Sequence, residues 1–397
     1  MLSKKAKGIS KSLTLDITAK AKKMRADGID VIGFGAGEPD FNTPQNIVDA
    51  AIKAIQDGMT KYTATSGIIE LKKAIIQKFK LENKLSYEPA QIIVSTGAKQ
   101  CLANVFEAIL NPGDEVLIGI PYWVSYPELV KLADGKPIYI ETEESNKFKL
   151  TIENLNKAIT SKSKALVLNS PNNPTGTVYT IEELTEIADF AKANDLIIIS
   201  DEIYEKLLYG ANEHISIASL SEDSYRRTIV INGVSKAYAM TGWRIGYAAG
   251  STEIISLMTN IQSHTTSNPN SIAQYASVEA LNGKQEDMKK MIEQFKLRRD
   301  YMVETINSLN NLSCISPEGA FYVMVNISNV LNKSVNGKVI SNSIQFSDLL
   351  LEVEKVAVIP GIAFGVDNFI RISYATSMEN IKNGLNRIAR FVSDIQD

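Results

Sequence analysis

Through the middle of the chain, short runs of consecutive apolar residues alternate with longer stretches in which apolar positions return at helical spacing. The runs Ile92–Ser95, Val116–Ile120, Ala165–Leu168, Leu196–Ser200 and Thr228–Ile231 have strand length, and turn residues bound each one. Because these runs lack polar alternation, they predict a mostly parallel sheet with helices covering both faces. From Asp287 to Leu309 the pattern changes. Met288, Met291, Ile292, Phe295, Ile306 and Leu309 recur among dense charges, which predicts a long amphipathic helix leaving the sheet. Beyond it, strands at Phe321–Val325, Val356–Ile359 and Phe369–Ser373 and a closing helix at Glu379–Val392 predict a second, smaller body.

The expected fold class is therefore α/β, with a large domain built on a mostly parallel central sheet and a smaller α+β domain. The expected division is an N-terminal arm with part of the small domain at 1–42, the large domain at 43–285 and the small domain at 286–397. Neither an internal repeat nor a low-complexity segment is present.

Charge narrows the partners. With 42 basic and 45 acidic residues the net charge is −3, which gives no electrostatic reason to bind nucleic acid. No apolar run approaches the roughly 20 residues of a membrane span. Lys4, Lys5 and Lys7 are not followed by the apolar stretch of a secretory signal. Only Cys101 and Cys314 occur, so neither a disulfide framework nor a zinc pattern can be built, and Cys101 reads as a buried helix residue. A cytoplasmic protein acting on small molecules is expected, with no metal site.

In open α/β sheets ligands bind beyond the carboxyl ends of the strands, so the residues following each strand carry the information. After Ile92–Ser95 come Thr96, Gly97, Ala98 and Lys99, opening a helical run; backbone N–H groups there can cradle an anion, although a simple tight turn explains the same residues. After Ala165–Leu168 comes Asn169, Ser170, Pro171, Asn172, Asn173, Pro174, Thr175, Gly176, a polar turn able to aim a rigid amide. After Leu196–Ser200 come Asp201, Glu202, Ile203 and Tyr204. A carboxylate at the rim of an apolar core is costly unless a cation or several donors meet it, so Asp201 reads as a ligand-binding residue, with a helix cap as the alternative. After Thr228–Ile231 come Ser235 and Lys236, then Gly242, Trp243 and Arg244. Together these groups supply what pyridoxal phosphate needs: an amine for a Schiff base, a carboxylate for the ring nitrogen, and cationic and backbone donors for the phosphate. Gly33, Gly35 and Gly37 do not have dinucleotide-binding spacing.

With these residues in place, the chain resembles the class I aminotransferases of fold type I, and most closely their bacterial aspartate aminotransferase branch. The resemblance runs from Gly35-Ala36-Gly37-Glu38-Pro39-Asp40-Phe41 to Arg371-Ile372-Ser373-Tyr374-Ala375. It rests on Asn173-Pro174-Thr175-Gly176, Ser200-Asp201-Glu202-Ile203-Tyr204, Ser235-Lys236 and Gly242-Trp243-Arg244 occurring in order. It implies transamination, with aspartate and 2-oxoglutarate the favoured pair. It also implies that Lys236 forms the Schiff base and later shuttles the substrate proton, that Asp201 pairs with the pyridinium nitrogen, that Tyr204 and Asn173 donate to the ring O3′, and that Trp123 stacks on the ring. Gly97, Ala98, Lys99, Ser235 and Arg244 would hold the phosphate, joined by Tyr62 from a second subunit of a homodimer. Arg371 would grip the substrate α-carboxylate, with the Gly37 backbone assisting.

Two departures from the family pattern stand out. Gly233 occupies a place where many relatives have a phosphate-binding serine. Ser263 stands where the animal-type enzymes carry an arginine for the distal carboxylate, leaving Lys11, Ser12, Thr14 or His264 as candidates for that task. His214 reads as a surface loop residue. The same scaffold also supports transamination of aromatic or prephenate-type substrates, β-elimination, or a non-catalytic binding role.

Overall fold

The computed structural model describes residues 2–11, 13–210 and 213–396. Its centre is a seven-stranded sheet of β1 (Ile92–Ser95), β2 (Glu115–Ile120), β3 (Lys136–Glu141), β4 (Ser163–Asn169), β5 (Ile197–Asp201), β6 (Thr228–Gly233) and β7 (Gly246–Ala249). The spatial order is β1-β7-β6-β5-β4-β2-β3. β3, β2, β4, β5 and β6 pair in parallel, and β7 runs antiparallel between β6 and β1.

Alternate residues of one strand serve opposite faces. Ala165 and Val167 of β4 pack into one apolar cluster with Val105 and Phe106, whereas Leu166 and Leu168 pack into another with Leu184 and Ile187. Both faces are thus covered, as the unbroken apolar runs require. Two strands escaped the pattern. β3 is an edge strand with an exposed Lys136 and only Ile140 fully buried, and β7 is Gly-Tyr-Ala-Ala, three small residues around one buried tyrosine, without a run of large aliphatic side chains.

Helices α1 (Leu13–Ala26), α2 (Ala98–Ile109) and α3 (Ser125–Leu132) each place residues beside the cleft at the strand ends. A fourth, α4 (Glu286–Ser308), is the long amphipathic helix expected from Asp287 onward, and it buries Met288, Met291, Phe295, Met302 and Ile306. After it comes a four-stranded antiparallel sheet of β8 (Ser313–Cys314), β9 (Tyr322–Asn326), β10 (Ile359–Pro360) and β11 (Phe369–Ser373), in the order β10-β11-β9-β8. The single strand expected at Val356–Ile359 is divided: Val356–Ala357 pairs in parallel with Ile32–Gly33, and Ile359–Pro360 joins β11. The amino-terminal segment is thereby tied to the carboxyl-terminal part of the chain. The closing helix spans Met378–Ser393.

Candidate active site

The carboxyl ends of β1, β4, β5 and β6 open into a cleft of ≈ 680 Å³, closed from the other side by α1, β9 and β11. Gly37, Ala98, Lys99, Trp123, Asn173, Asp201, Tyr204, Ser235, Lys236, Arg244 and Arg371 all line it. Residues from the first tenth of the chain to the last thus meet in one space.

Asp201 ends β5 and is only 3% exposed. Burial raises its carboxyl to about 6, although the Tyr126 hydroxyl donates to Oδ2 at 2.7 Å and the Ile203 amide donates to Oδ1 at 3.2 Å. The Ile203 contact is a turn bond and not the helix cap considered for Asp201, because the residues that follow form turns and no helix begins there. A buried carboxylate held this high is short of positive charge, so a cationic ligand atom opposite it would be strongly favoured. Lys236 follows β6. Its Nζ donates to the Gly37 carbonyl at 2.6 Å and lies 5.8 Å from the Tyr204 ring centre. Burial lowers its ammonium to about 8; Glu38 and Asp201 pull it up, and Arg244 and Arg371 push it down.

An anion socket lies at the start of α2. The amides of Ala98 and Lys99 have no hydrogen-bond partner among the described residues, and the helix has no side-chain cap. Gly97 (φ +87°) lets Arg244 approach so closely that a Cβ there would lie 2.4 Å from its guanidinium. Arg244 itself is held by the Thr241 carbonyl at 2.9 Å. Free amides at a helix start, a guanidinium and the nearby Ser235 have the chemistry of a phosphate site. Lys99 lies with its Nζ 5.0 Å from the Trp123 ring centre, and burial followed by repulsion from Arg244 lowers its pKa.

Arg371, on β11, is 3% exposed. It donates to Asn173 Oδ1 at 3.0 Å and to the Gly35 carbonyl at 3.2 Å, while its Nε has no partner. No carboxylate forms an ion pair with it among the described residues. A buried guanidinium in that state calls for an anionic ligand. Its grip on Asn173 Oδ1 also orients that amide so that Nδ2, which has no partner among the described residues, is left to donate.

Of the sequence candidates, Gly97, Tyr62, Lys11 and His264 do not line the cleft, although Gly97 immediately precedes Ala98, which does. Tyr62 is 91% exposed and lies outside the cleft of its own chain. Lys11 and His264 are exposed elsewhere, and Ser263 is spent on the Asn260 carbonyl. Thr14 does line the cleft, and Ser12 lies outside the described residues. His214 corrects the expectation of a surface loop residue: its side chain is 8% exposed and its Nε2 lies 2.9 Å from Glu202 Oε2. His214, Glu202 and Glu205 bring ligand atoms within 4.8 Å of one another, but the Lys78 ammonium is ion-paired with Glu205 and supplies positive charge from within the protein.

Sequence reasoning missed Tyr126, Tyr322, Thr18, Lys22 and Arg25, all of which line the cleft. Tyr126 stands three residues after Trp123, a spacing that only matters once α3 is known to start there. Tyr322 was absorbed into an apolar strand.

Known proteins resemble this chain in sequence and in fold. Residues 29–388 match the family model described as aminotransferase class I and II. An aspartate aminotransferase of Bacillus sp. (strain YM-2) is 53% identical over 392 residues, covering 99% of each chain. An aspartate/prephenate aminotransferase of Nitrosomonas europaea is 48% identical over 395 residues, covering 99% of this chain and 100% of that protein. Among solved structures, the aspartate aminotransferase from Rhizobium meliloti superposes with a TM-score of 0.96 at 45% identity, covering 100% of both chains. That from Thermus thermophilus with maleate gives 0.93 at 42% identity, covering 98% of this chain and 99% of the other.

Proposed function

We propose, from the premise that this chain belongs to the class I and II aminotransferase family, that it transfers the amino group of aspartate to 2-oxoglutarate using pyridoxal phosphate bound in the cleft. The observation that carries this reading is the convergence of an amine, a buried carboxylate and an unpaired buried guanidinium, Lys236, Asp201 and Arg371, on one space.

The donor set fits the cofactor. The Ala98 and Lys99 amides, Ser235 and Arg244 would hold the phosphate, with Tyr62 of a second copy reaching it in a homodimer. Asp201 would hold the ring nitrogen, Asn173 Nδ2 and the Tyr204 hydroxyl would donate to the ring hydroxyl, and Trp123 would cover one ring face. Pyridoxal phosphate supplies an aldehyde that takes up an amino group and a ring that accepts the electrons left when the substrate Cα proton departs.

The remaining work belongs to the protein. Lys236, lowered to about 8, is more easily neutral near pH 7 than an exposed lysine, the state in which its amine would serve as the nucleophile and could then hold and move the proton at Cα. Arg371 presents a planar fork to the α-carboxylate, a geometry a lysine cannot match. The cleft is lined by the cations Lys22, Arg25, Lys99, Lys236, Arg244 and Arg371 against the carboxylates Glu38 and Asp201, which suits an anionic cofactor together with a dicarboxylate substrate. No described helix is long and apolar enough to cross a membrane, and the free cysteines Cys101 and Cys314 accord with a reducing cytoplasm.

A panel of amino donors against 2-oxoglutarate, run with added pyridoxal phosphate, tests the proposal. Aspartate giving the highest kcat/KM with oxaloacetate as product supports it. Preference for an aromatic donor, or release of pyruvate and ammonia, overturns the choice of reaction.

A further inference from the structure

Two parts of the cleft, the ring-hydroxyl donors and the carboxylate-binding arginine, share one side chain that neither the motifs nor the strand pattern singled out. Tyr322 lies on β9 opposite Ser373 of β11, so Arg371, two residues earlier on β11, is its diagonal neighbour on the same face of the sheet. The residue is 1% exposed, yet it borders the cleft. Its hydroxyl lies 2.9 Å from the Tyr204 hydroxyl. Its ring centre lies 4.3 Å from Arg371 Cζ, and the Phe364 ring centre lies 4.8 Å from the same atom.

We propose that Tyr322 is a positioning residue that couples the two parts of the site, donating its hydroxyl proton to Tyr204 and seating the Arg371 guanidinium against its ring. The proposal rests on the pyridoxal phosphate reading of the cleft. A tyrosine has one hydroxyl proton. If Tyr204 spends its proton on the cofactor hydroxyl, the 2.9 Å contact can be a hydrogen bond only with Tyr322 as donor. The direction of the chain is then fixed, from Tyr322 to Tyr204 to the ring oxygen. Each link polarises the next, so the distant hydroxyl strengthens the donation that the ring oxygen receives. The ring of Tyr322 does a separate job: with Asn173 and Gly35 holding two nitrogens of Arg371, the aromatic face sets the plane in which the guanidinium meets a carboxylate.

The two jobs separate by mutation. Tyr322→Phe keeps the ring and removes the hydroxyl; Tyr322→Leu removes both. Each is prepared with pyridoxal phosphate, and two quantities are measured: the pH midpoint of the cofactor's visible absorption band, and the affinity for succinate, an unreactive dicarboxylate. A donor at the ring oxygen stabilises negative charge there, so the bound chromophore releases its proton at lower pH. Tyr322→Phe should therefore raise the midpoint by roughly 0.3–1 unit and change succinate affinity by less than about twofold. Tyr322→Leu should raise the midpoint similarly and weaken succinate by roughly 3- to 30-fold. An unmoved midpoint in Tyr322→Phe overturns the proposal by itself, so it remains testable if the leucine variant does not fold. A wild-type protein that develops no visible band overturns the cofactor reading and this inference together, whereas a normal wild-type band with an unmoved variant overturns only the inference.

Discussion

Replacing Arg371 by alanine removes the group on which substrate recognition is argued to depend. The side chain is 3% exposed and two of its nitrogens are fixed by Asn173 Oδ1 at 3.0 Å and the Gly35 carbonyl at 3.2 Å. Its position is therefore settled before substrate arrives, and little of its binding energy is lost to ordering. Losing one partner of a desolvated ion pair costs about 2–5 kcal/mol, which corresponds to a fall of roughly 30- to 5,000-fold in kcat/KM. The structure argues against the lower end of that range, because alanine also frees Asn173, whose amide the arginine orients and which is proposed to donate to the cofactor hydroxyl. Arg371→Lys should recover part of the loss, since it restores charge without the fork. The assay is the oxidation of NADH by malate dehydrogenase coupled to oxaloacetate formed from aspartate, with both substrates varied. A kcat/KM within threefold of wild type in Arg371→Ala would refute the assignment.

Two further outcomes are expected. Gly97→Ala puts a Cβ 2.4 Å from the Arg244 guanidinium at a φ of +87°, so pyridoxal phosphate titrations should show affinity reduced at least about tenfold, and affinity within twofold of wild type would count against the phosphate socket. Burial raises the Glu205 carboxyl, but attraction to Lys78 and His214 and hydrogen bonds from Lys78 and Asn83 outweigh it and bring the group down to about 2. A depressed carboxyl stabilises the fold above its unfolded value, so this contribution should be complete above pH ~4.5 and lost as the pH falls toward ~2. Lys78→Met should cost about 3–5 kcal/mol in urea unfolding at pH 7 and flatten the pH dependence of stability across that window; an unchanged profile would show that the pair does not act as described.

What could be read from the sequence was whatever a local pattern encodes. Unbroken apolar runs located β1, β2, β4, β5 and β6 because strands buried on both faces need no polar alternation, and the turn residues after them carried Lys99, Asn173, Asp201 and Lys236. Position in the fold defeated the rest. β3 lies at the sheet edge and β7 has only one large side chain, Tyr247, so neither leaves a strong apolar trace. Tyr126 and Tyr322 look like ordinary core aromatics until the fold turns their hydroxyls toward Asp201 and Tyr204. His214 sits in an irregular segment that resembles exposed loop, and its Nε2 meets the buried Glu202 at 2.9 Å, a contact no local periodicity encodes. Tyr62 illustrates the opposite case: at 91% exposure a single chain gives it nothing to do, and only the family resemblance assigns it a role across a dimer.

One lysine, Lys236, is proposed to carry the cofactor. Borohydride reduction of the protein loaded with pyridoxal phosphate, followed by proteolysis and mass spectrometry of the labelled peptide, tests it directly. A single pyridoxyl group is expected on the peptide containing Lys236, and none in Lys236→Ala. A label on another lysine, or spread over several surface lysines with Lys236 unmodified, would contradict it.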